Sequence, residues 1–187
     1  MSLAWMGYLL AAALLASSDA VLERLPSLRP ERAYPAFVAA ELAFLLLAWP
    51  LWGAGGVAGT IRGAALLILL ALPPAVVAAG IADEGWREFL AGQALAAASA
   101  LFSGSLLLLW RRGAAWYFLA VFLLVIAHPL FLFVLGEHGH GGWEWTGALS
   151  PFRAALEPVA SAVMAGALGT VSIGLLFLGA RRERKGT

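Results

Sequence analysis

The residues of this chain that can do chemistry are few, and the first of them stands inside an apolar run. Glu41 follows Ala40 and precedes Leu42, about a turn and a half from the start of that run. A carboxylate in a membrane helix is expensive and usually faces a partner, a cavity or a transport path. Near the end of a span it can instead extend to the lipid headgroups. The sequence allows both, and Glu41 is a candidate residue of a substrate path.

Three histidines are the next candidates. His128, followed by Pro129, stands within a long apolar run, where it can relay protons, line a path, ligate haem or simply form a hydrogen bond inside a helix. A haem with two histidine ligands would need a second histidine in the membrane, and the apolar runs hold none. His138 and His140 lie in a polar connector near Glu144, a set that suits zinc or copper, although two ligands at this spacing also arise incidentally in a glycine-rich loop.

The composition excludes several classes of function. The chain has no cysteine, which removes disulfides, thiolate metal sites and iron–sulfur ligation. Its net charge of +1 argues against a nucleic-acid partner bound through its phosphates. No phosphate-binding loop, nucleophile elbow, dinucleotide fingerprint or zinc-protease helix occurs. We therefore expect no catalytic activity of its own and, in the leading interpretation, no cofactor.

The elements that must position these residues are membrane helices. Of the 187 residues, 62% are hydrophobic and 12% charged, and the mean hydropathy is +0.87. A soluble domain is about half apolar and a quarter charged, and a helix needs about 20 apolar residues to cross a bilayer. The apolar residues come in unbroken blocks of that size, which indicates helices rather than a barrel. The predicted fold is an all-α integral membrane protein, a bundle of about six transmembrane helices.

Six apolar runs define the predicted spans: 3–22, 36–52, 63–81, 89–110, 114–135 and 159–180. The second run is short, and its Trp49 and Trp52 are typical of a membrane interface. In the third run, Pro73 and Pro74 predict a kink or a break. A re-entrant segment between residues 36 and 81 would reduce the number of spans from six to five.

The basic residues predict the orientation. Lysine and arginine in short loops favour the cytoplasm, so the tail 181–187 is predicted to be cytoplasmic, in a multi-pass protein of the cell (inner) membrane. Alternation places Arg62 and the turn at Arg111-Arg112 on the same side, and the acidic segment 83–88 outside. The connector 24–32, with three arginines, falls outside against this rule, and a re-entrant segment would resolve that conflict.

Small residues repeat every four positions in the last run, at Ala162, Gly166, Thr170 and Gly174. This spacing places them on one helix face, where another helix can approach closely. The pattern predicts helix packing, either within the chain or against a second copy.

The second half of the chain resembles the permease subunits of type-two ABC exporters. Three stretches carry the resemblance: Ser103-Gly-Ser105 before Trp110-Arg-Arg-Gly-Ala-Ala, the leucine-rich fifth run with Pro129, and Leu149-Ser-Pro-Phe-Arg-Ala-Ala-Leu156 before the last run and its basic tail. The resemblance implies six spans and an outer connection between the last two that forms short interfacial or re-entrant helices. The segment from Ser150 to Glu157 stands at that position.

The resemblance implies a transport permease that dimerises and works with a separate cytoplasmic ATPase to move an amphipathic or lipid-like substrate. On this hypothesis Glu41, His128 and Phe152 belong to the substrate path, and Arg62 lies at the ATPase interface. The alternative is a membrane anchor or accessory subunit of a respiratory or other redox complex, in which His128 and the outer histidines bind haem, copper or quinone. Either function implies the lipid bilayer and other membrane subunits or a second copy as partners.

Overall fold

The computed structural model describes residues 5, 7–8, 33–49, 55–109, 114–122, 150–155 and 158–185. Within these ranges the chain is helical and has no strand. The helices are α1 (Ala33–Ala43), which continues into a π-helical turn (Phe44–Ala48), α2 (Val57–Ala82), α3 (Trp86–Leu109), α4 (Ala114–Phe122), α5 (Pro151–Ala154) and α6 (Pro158–Lys185).

Three of these helices, α2, α3 and α6, are long and apolar enough to cross a membrane. The all-helical fold predicted from composition is therefore confirmed for the described residues, and three of its helices fit a membrane protein, whereas a count of six spans stays a prediction. The run 3–22 is described at three residues only, and the fifth run only over α4. The described helical stretch Ala33–Ala48 is apolar but shorter than the three long helices.

Of the kink or break predicted at Pro73 and Pro74, the break is wrong, because α2 is one α-helix of 26 residues that contains both prolines, and the kink stays a prediction. The buried face of the helix continues past them through Ala71, Ala75 and Ala78. A membrane helix tolerates proline where local adjustment and neighbouring groups satisfy the freed carbonyls. The third run is therefore continuous, and the helix also begins earlier than predicted, at Val57.

Helix α3 is the centre of the bundle and contacts α1, α2 and α6, the last most extensively. Four small residues at a four-residue spacing lie on its buried side: Gly92, Ala96, Ala100 and Gly104. They let neighbouring helices approach closely, which is how helices associate where lipid provides no hydrophobic drive. Packing within the chain is thus organised on α3.

Helix α1 runs along α3 from one end of the bundle towards the other. At its start, the Tyr34 ring contacts Phe89, near the beginning of α3. After the π-helical turn, the Trp49 indole packs against Gly63 of α2 and Gly104 of α3, where an added Cβ would overlap it or press against it. Trp49 is only 4% exposed, so its indole packs between helices, and its place at the membrane interface stays a prediction. Over residues 33–49 the chain runs in one direction along the bundle, from Phe89 towards Gly104, and a re-entrant segment between residues 36 and 81 stays a prediction.

One end of the bundle is basic and brings together three helix termini. The backbone N–H of Val57, at the start of α2, donates to the Glu183 carboxylate of α6 at 3.1 Å. The Arg182 guanidinium of α6 donates to the carbonyl of Leu109, at the end of α3, at 3.2 Å. Arg62 is exposed near the same end. The tail, Arg62 and the end of α3 therefore share one side, as the distribution of basic residues predicted.

The opposite end is acidic overall, because the turn from α2 to α3 and the first turn of α3 carry three acids, Asp83, Glu84 and Glu88, and one base, Arg87. Asp83 closes α2 in a left-handed conformation, with φ of 53°, and its N–H bonds back to the last turn.

Helix α5 contacts α1 and α6. The Ser161 hydroxyl of α6 donates to the Ala154 carbonyl of α5 at 2.7 Å, which fixes this short helix against the start of α6.

The small-residue face of α6 does not contribute to packing within the described part of the chain. Ala162, Gly166, Thr170 and Gly174 are all exposed. A Cβ added at Gly166 or Gly174 would meet nothing within 4 Å. Of the two interpretations of this repeat, packing within the chain finds no support among the described residues.

Candidate functional site

Glu41 and Gln93 meet inside the bundle because each lies on the buried face of its helix. On α1, that face carries Tyr34, Phe37, Val38, Glu41 and Leu42, at the three- and four-residue spacing of one helix side. On α3, Gln93 follows the buried Phe89 by one helical turn. The contact between α1 and α3 therefore places the two polar side chains opposite each other in an apolar interior.

The pair is joined by one hydrogen bond. The Gln93 amide Nε2 donates to the Glu41 carboxylate Oε2 at 3.3 Å. Glu41 is 0% exposed and Gln93 is 6% exposed. The contact is longer than the usual distance for an N–H···O hydrogen bond. It holds the two groups together weakly and leaves much of their bonding capacity unused.

The remaining oxygens of this pair have no partner. Glu41 Oε1 and Gln93 Oε1 are both buried and accept no hydrogen bond. Among the described residues, no arginine, lysine or histidine pairs with Glu41. Two unsatisfied acceptors in an apolar interior are unfavourable, and ionisable groups retained inside membrane proteins mark functional positions. The site can accept a proton, a cation or the hydrogen-bond donor of a substrate.

Tyrosine side chains flank the pair on two sides. The Tyr34 hydroxyl donates to the Phe89 carbonyl at 2.6 Å, and it lies so close to Gly92 that a Cβ there would be 2.5 Å away. Tyr8, from the first apolar run, donates to the carbonyl of Ala40 at 2.9 Å, next to Glu41. Tyr34 therefore separates the pair from the acidic end, and Gly92 is the residue that admits its hydroxyl.

Between the pair and the basic end, two more buried polar atoms lack partners, Ser99 Oγ and Trp49 Nε1. The π-helical turn lies at the same level, and its Leu46 carbonyl accepts a hydrogen bond from Tyr117 of α4 at 2.6 Å. A π-helical turn commonly marks a functional position within a helix. Polar atoms thus continue beyond Glu41 towards the basic end.

Of the other residues predicted for the substrate path and the ATPase interface, the structure describes Arg62 and the backbone of Phe152. Arg62 is exposed at the basic end, and the backbone of Phe152 lies in α5. His128, His138 and His140 fall outside the described residues, so the haem, copper and metal hypotheses for them stay predictions. Among the residues that the structure does describe, no group of three or more histidine, cysteine, aspartate or glutamate side chains could hold a metal ion.

Gln93 and Tyr34 are the functional candidates that the sequence interpretation missed. Gln93 is the single glutamine of a chain that has no asparagine, and it stands in the run 89–110. A strongly hydrogen-bonding side chain in a membrane span needs a partner, so its pairing with the intramembrane Glu41 was available as a signal. The contact of Tyr34 with Gly92 depends on tertiary packing and has no comparable signature.

Comparisons of the chain with protein-family models, with curated proteins and with solved structures each find no match.

Proposed function

We propose that the chain is a membrane-embedded transport subunit and that the Glu41–Gln93 pair is the polar binding site on its substrate path. The observation that supports this most directly is the fully buried Glu41, which has one long hydrogen bond and a second oxygen without a partner. A group that only stabilised the fold would be paired more completely. A group that binds and releases a substrate needs hydrogen-bond acceptors that the protein itself does not occupy.

The substrate class is amphipathic or lipid-like. The pair is surrounded by apolar side chains, so a fully hydrated solute would lose its water there with little to replace it. A molecule with an apolar body and one hydrogen-bond donor or positive charge meets both parts of the site. Glu41 and Gln93 would accept the donor, and the apolar faces of α1 and α3 would contact the body.

Energy would come from a separate ATPase bound at the basic end. The exposed Arg62 and the exposed Arg181, Arg182 and Arg184 of α6 support the proposal that this end is cytoplasmic, because arginines are retained on that side. The exposed small-residue face of α6 would pack against a second copy. These proposals extend the resemblance to ABC exporter permeases. On this proposal Arg62 lies at the interface with the ATPase.

The test is transport in inverted membrane vesicles from host cells that contain the chain, lack it, or carry Glu41→Ala. ATP-dependent uptake of three fluorescent amphiphiles, one cationic, one neutral and one anionic, is measured at matched protein levels. We expect uptake of at least one probe to require the chain and to fall about tenfold or more with Glu41→Ala, the equivalent of about 1.4 kcal/mol.

Two further variants complete this design. Gln93→Ala should reproduce the defect because it removes the other half of the pair. Ser105→Ala, a truncation at a fully buried position of the same helix as Gln93 whose hydroxyl bonds to the Phe102 carbonyl of that helix, is the matched control and should retain uptake. Equal uptake with and without the chain would contradict the transport function. Full activity of Glu41→Ala would remove Glu41 from the path.

A further inference from the structure

The acidic end contains a groove that the Glu41–Gln93 site does not use. It lies between the last turns of α2 and the first turn of α3 and has a volume of about 250 Å³. Val76 and Ala79 of α2 form one wall, Trp86 and Phe89 of α3 form the other, and Glu84 lies in the turn between them. The groove is therefore apolar along most of its surface and has a carboxylate at one end.

The aromatic wall is arranged edge to face. The ring centroids of Trp86 and Phe89 are 5.7 Å apart with an interplanar angle of 89°. Trp86 is 76% exposed, which leaves its face accessible to a ligand, whereas Phe89 is buried. An exposed indole face attracts a cation through its quadrupole and also offers apolar contact area.

The carboxylate end is negative overall, because its turn carries the three acids Asp83, Glu84 and Glu88 and one arginine, Arg87. Glu84 has no side-chain hydrogen bond or ion pair among the described residues, and Glu88 follows one helical turn later, with its carboxylate in close approach to Gly85. Burial, and then the Glu88 carboxylate, raise the pKa of Glu84, which places the two acids within electrostatic range of each other. The groove thus presents negative potential to a ligand.

We propose that this groove binds an organic ammonium group carried on an apolar chain. The Glu84 carboxylate would meet the positive charge, the Trp86 face would lie against the ammonium methyl or methylene groups, and Val76 would contact the chain. A metal ion does not fit these walls, because hard cations require six or more oxygen ligands and the groove supplies one carboxylate. A phosphate-bearing headgroup would be repelled by the two acids.

The groove is connected to the buried pair through Phe89. The Phe89 ring contacts both Trp86 and Tyr34, and its carbonyl accepts the Tyr34 hydrogen bond one turn before Gln93. A ligand in the groove therefore lies one helical turn from the Glu41–Gln93 site, separated from it by Tyr34. That the bound amine is also the transported substrate rests on the proposed function, whereas binding in the groove does not.

Binding is measured with tritiated hexyltrimethylammonium and the full chain in nanodiscs of uncharged lipid, with empty nanodiscs subtracted. We expect saturable binding that hexylamine displaces and hexane sulfonate does not. Glu84→Gln should weaken binding about tenfold, since one charged contact contributes on the order of 1.4 kcal/mol. Asp83→Asn is the matched control: it removes the same charge one residue away, outside the groove, and should change affinity less than about twofold.

A second pair of variants, one test and one control, examines the apolar wall of the groove. Val76 and Val77 are similarly exposed, at 53% and 58%, but only Val76 lines the groove. Val76→Phe should fill the groove and abolish saturable binding, and Val77→Phe should not. Thermal unfolding of each variant establishes that it is folded.

Three outcomes would overturn the site: no saturable binding, equal weakening by Glu84→Gln and Asp83→Asn, or normal binding to Val76→Phe. Glu41→Ala separates this site from the transport function. It should abolish uptake and leave groove binding intact, so a failure of the groove and a failure of transport are distinguishable.

Discussion

Replacing Glu41 and Gln93 together by methionine is expected to stabilise the protein while it removes transport. Methionine has a volume close to that of both residues and adapts to irregular interiors, so no large cavity is created. The double variant loses one long hydrogen bond and two buried oxygens that have no partner. If the pair is functional, the double variant should have a higher free energy of unfolding than wild type. If the pair stabilises the fold, that free energy should be lower.

The magnitude follows from the contacts of the pair. Each unsatisfied buried polar group costs about 1–3 kcal/mol, and the single hydrogen bond contributes about 1 kcal/mol. Unfolded helices in a membrane also find partners for their polar groups, which reduces both figures. We therefore expect the double variant to gain about 1–3 kcal/mol in free energy of unfolding. Glu41→Met alone should be close to neutral, because it removes one orphan oxygen and leaves the Gln93 amide unpaired.

The assay is unfolding of the purified chain by sodium dodecyl sulfate in mixed micelles, followed by circular dichroism. Wild type, both single variants and the double variant form a mutant cycle. The reasoning is refuted if the double variant is less stable than wild type by about 1 kcal/mol or more, since the pair would then stabilise the fold in the ordinary way.

Other predictions follow from close contacts, exposed faces and the acidic turn. Gly63→Ala should destabilise the protein by about 1–3 kcal/mol because its Cβ would overlap the Trp49 ring, whereas Gly169→Ala, which meets nothing within 4 Å, should raise the melting temperature. Gly166→Leu should abolish self-association through α6, and an unchanged subunit count in single-molecule photobleaching would contradict a dimer on that face. Burial and a neighbouring carboxylate raise the pKa of Glu84, so ammonium binding should be lost as the pH falls through the titration of Glu84. Because the folded state holds that proton more tightly than the unfolded one, the contribution of Glu84 to stability should decrease as the pH rises through the same range, and Glu84→Gln should remove both dependences.

The sequence was sufficient to predict a helical fold with helices that could cross a membrane, because the composition departs from that of a soluble domain in both apolar and charged content. It also predicted which termini share an end of the bundle, since Arg62 and the tail follow the rule for basic residues. It identified one face that permits close packing and missed another. The repeat at Ala162 and Gly166 was noticed, but the similar repeat at Gly92 and Ala96 organises the described core. Periodicity identifies a face that permits close approach and does not say which helix occupies it.

Of the two residues that form the candidate site, one was predicted from the sequence. Glu41 was singled out because a charge inside an apolar run is expensive, and it is the best-buried charged residue of the described chain. Its partner Gln93 was missed because burying an uncharged amide costs less than burying a carboxylate and so marks a functional position less strongly. Trp49 was assigned to the interface because tryptophan at the end of a run favours headgroups. Its burial depends on glycines of two other helices, information that no local window contains.

The hydrogen bond between Val57 and Glu183 has a consequence for the biogenesis of the protein. Gly56, with φ of 110°, gives α2 no side-chain cap, and a carboxylate 126 residues later in the chain occupies the first turn instead. During synthesis, α2 and α3 enter the membrane long before that carboxylate leaves the ribosome. The start of α2 therefore lacks this carboxylate until α6 has been inserted. The basic end is therefore completed only once α6, the last described helix, has been inserted.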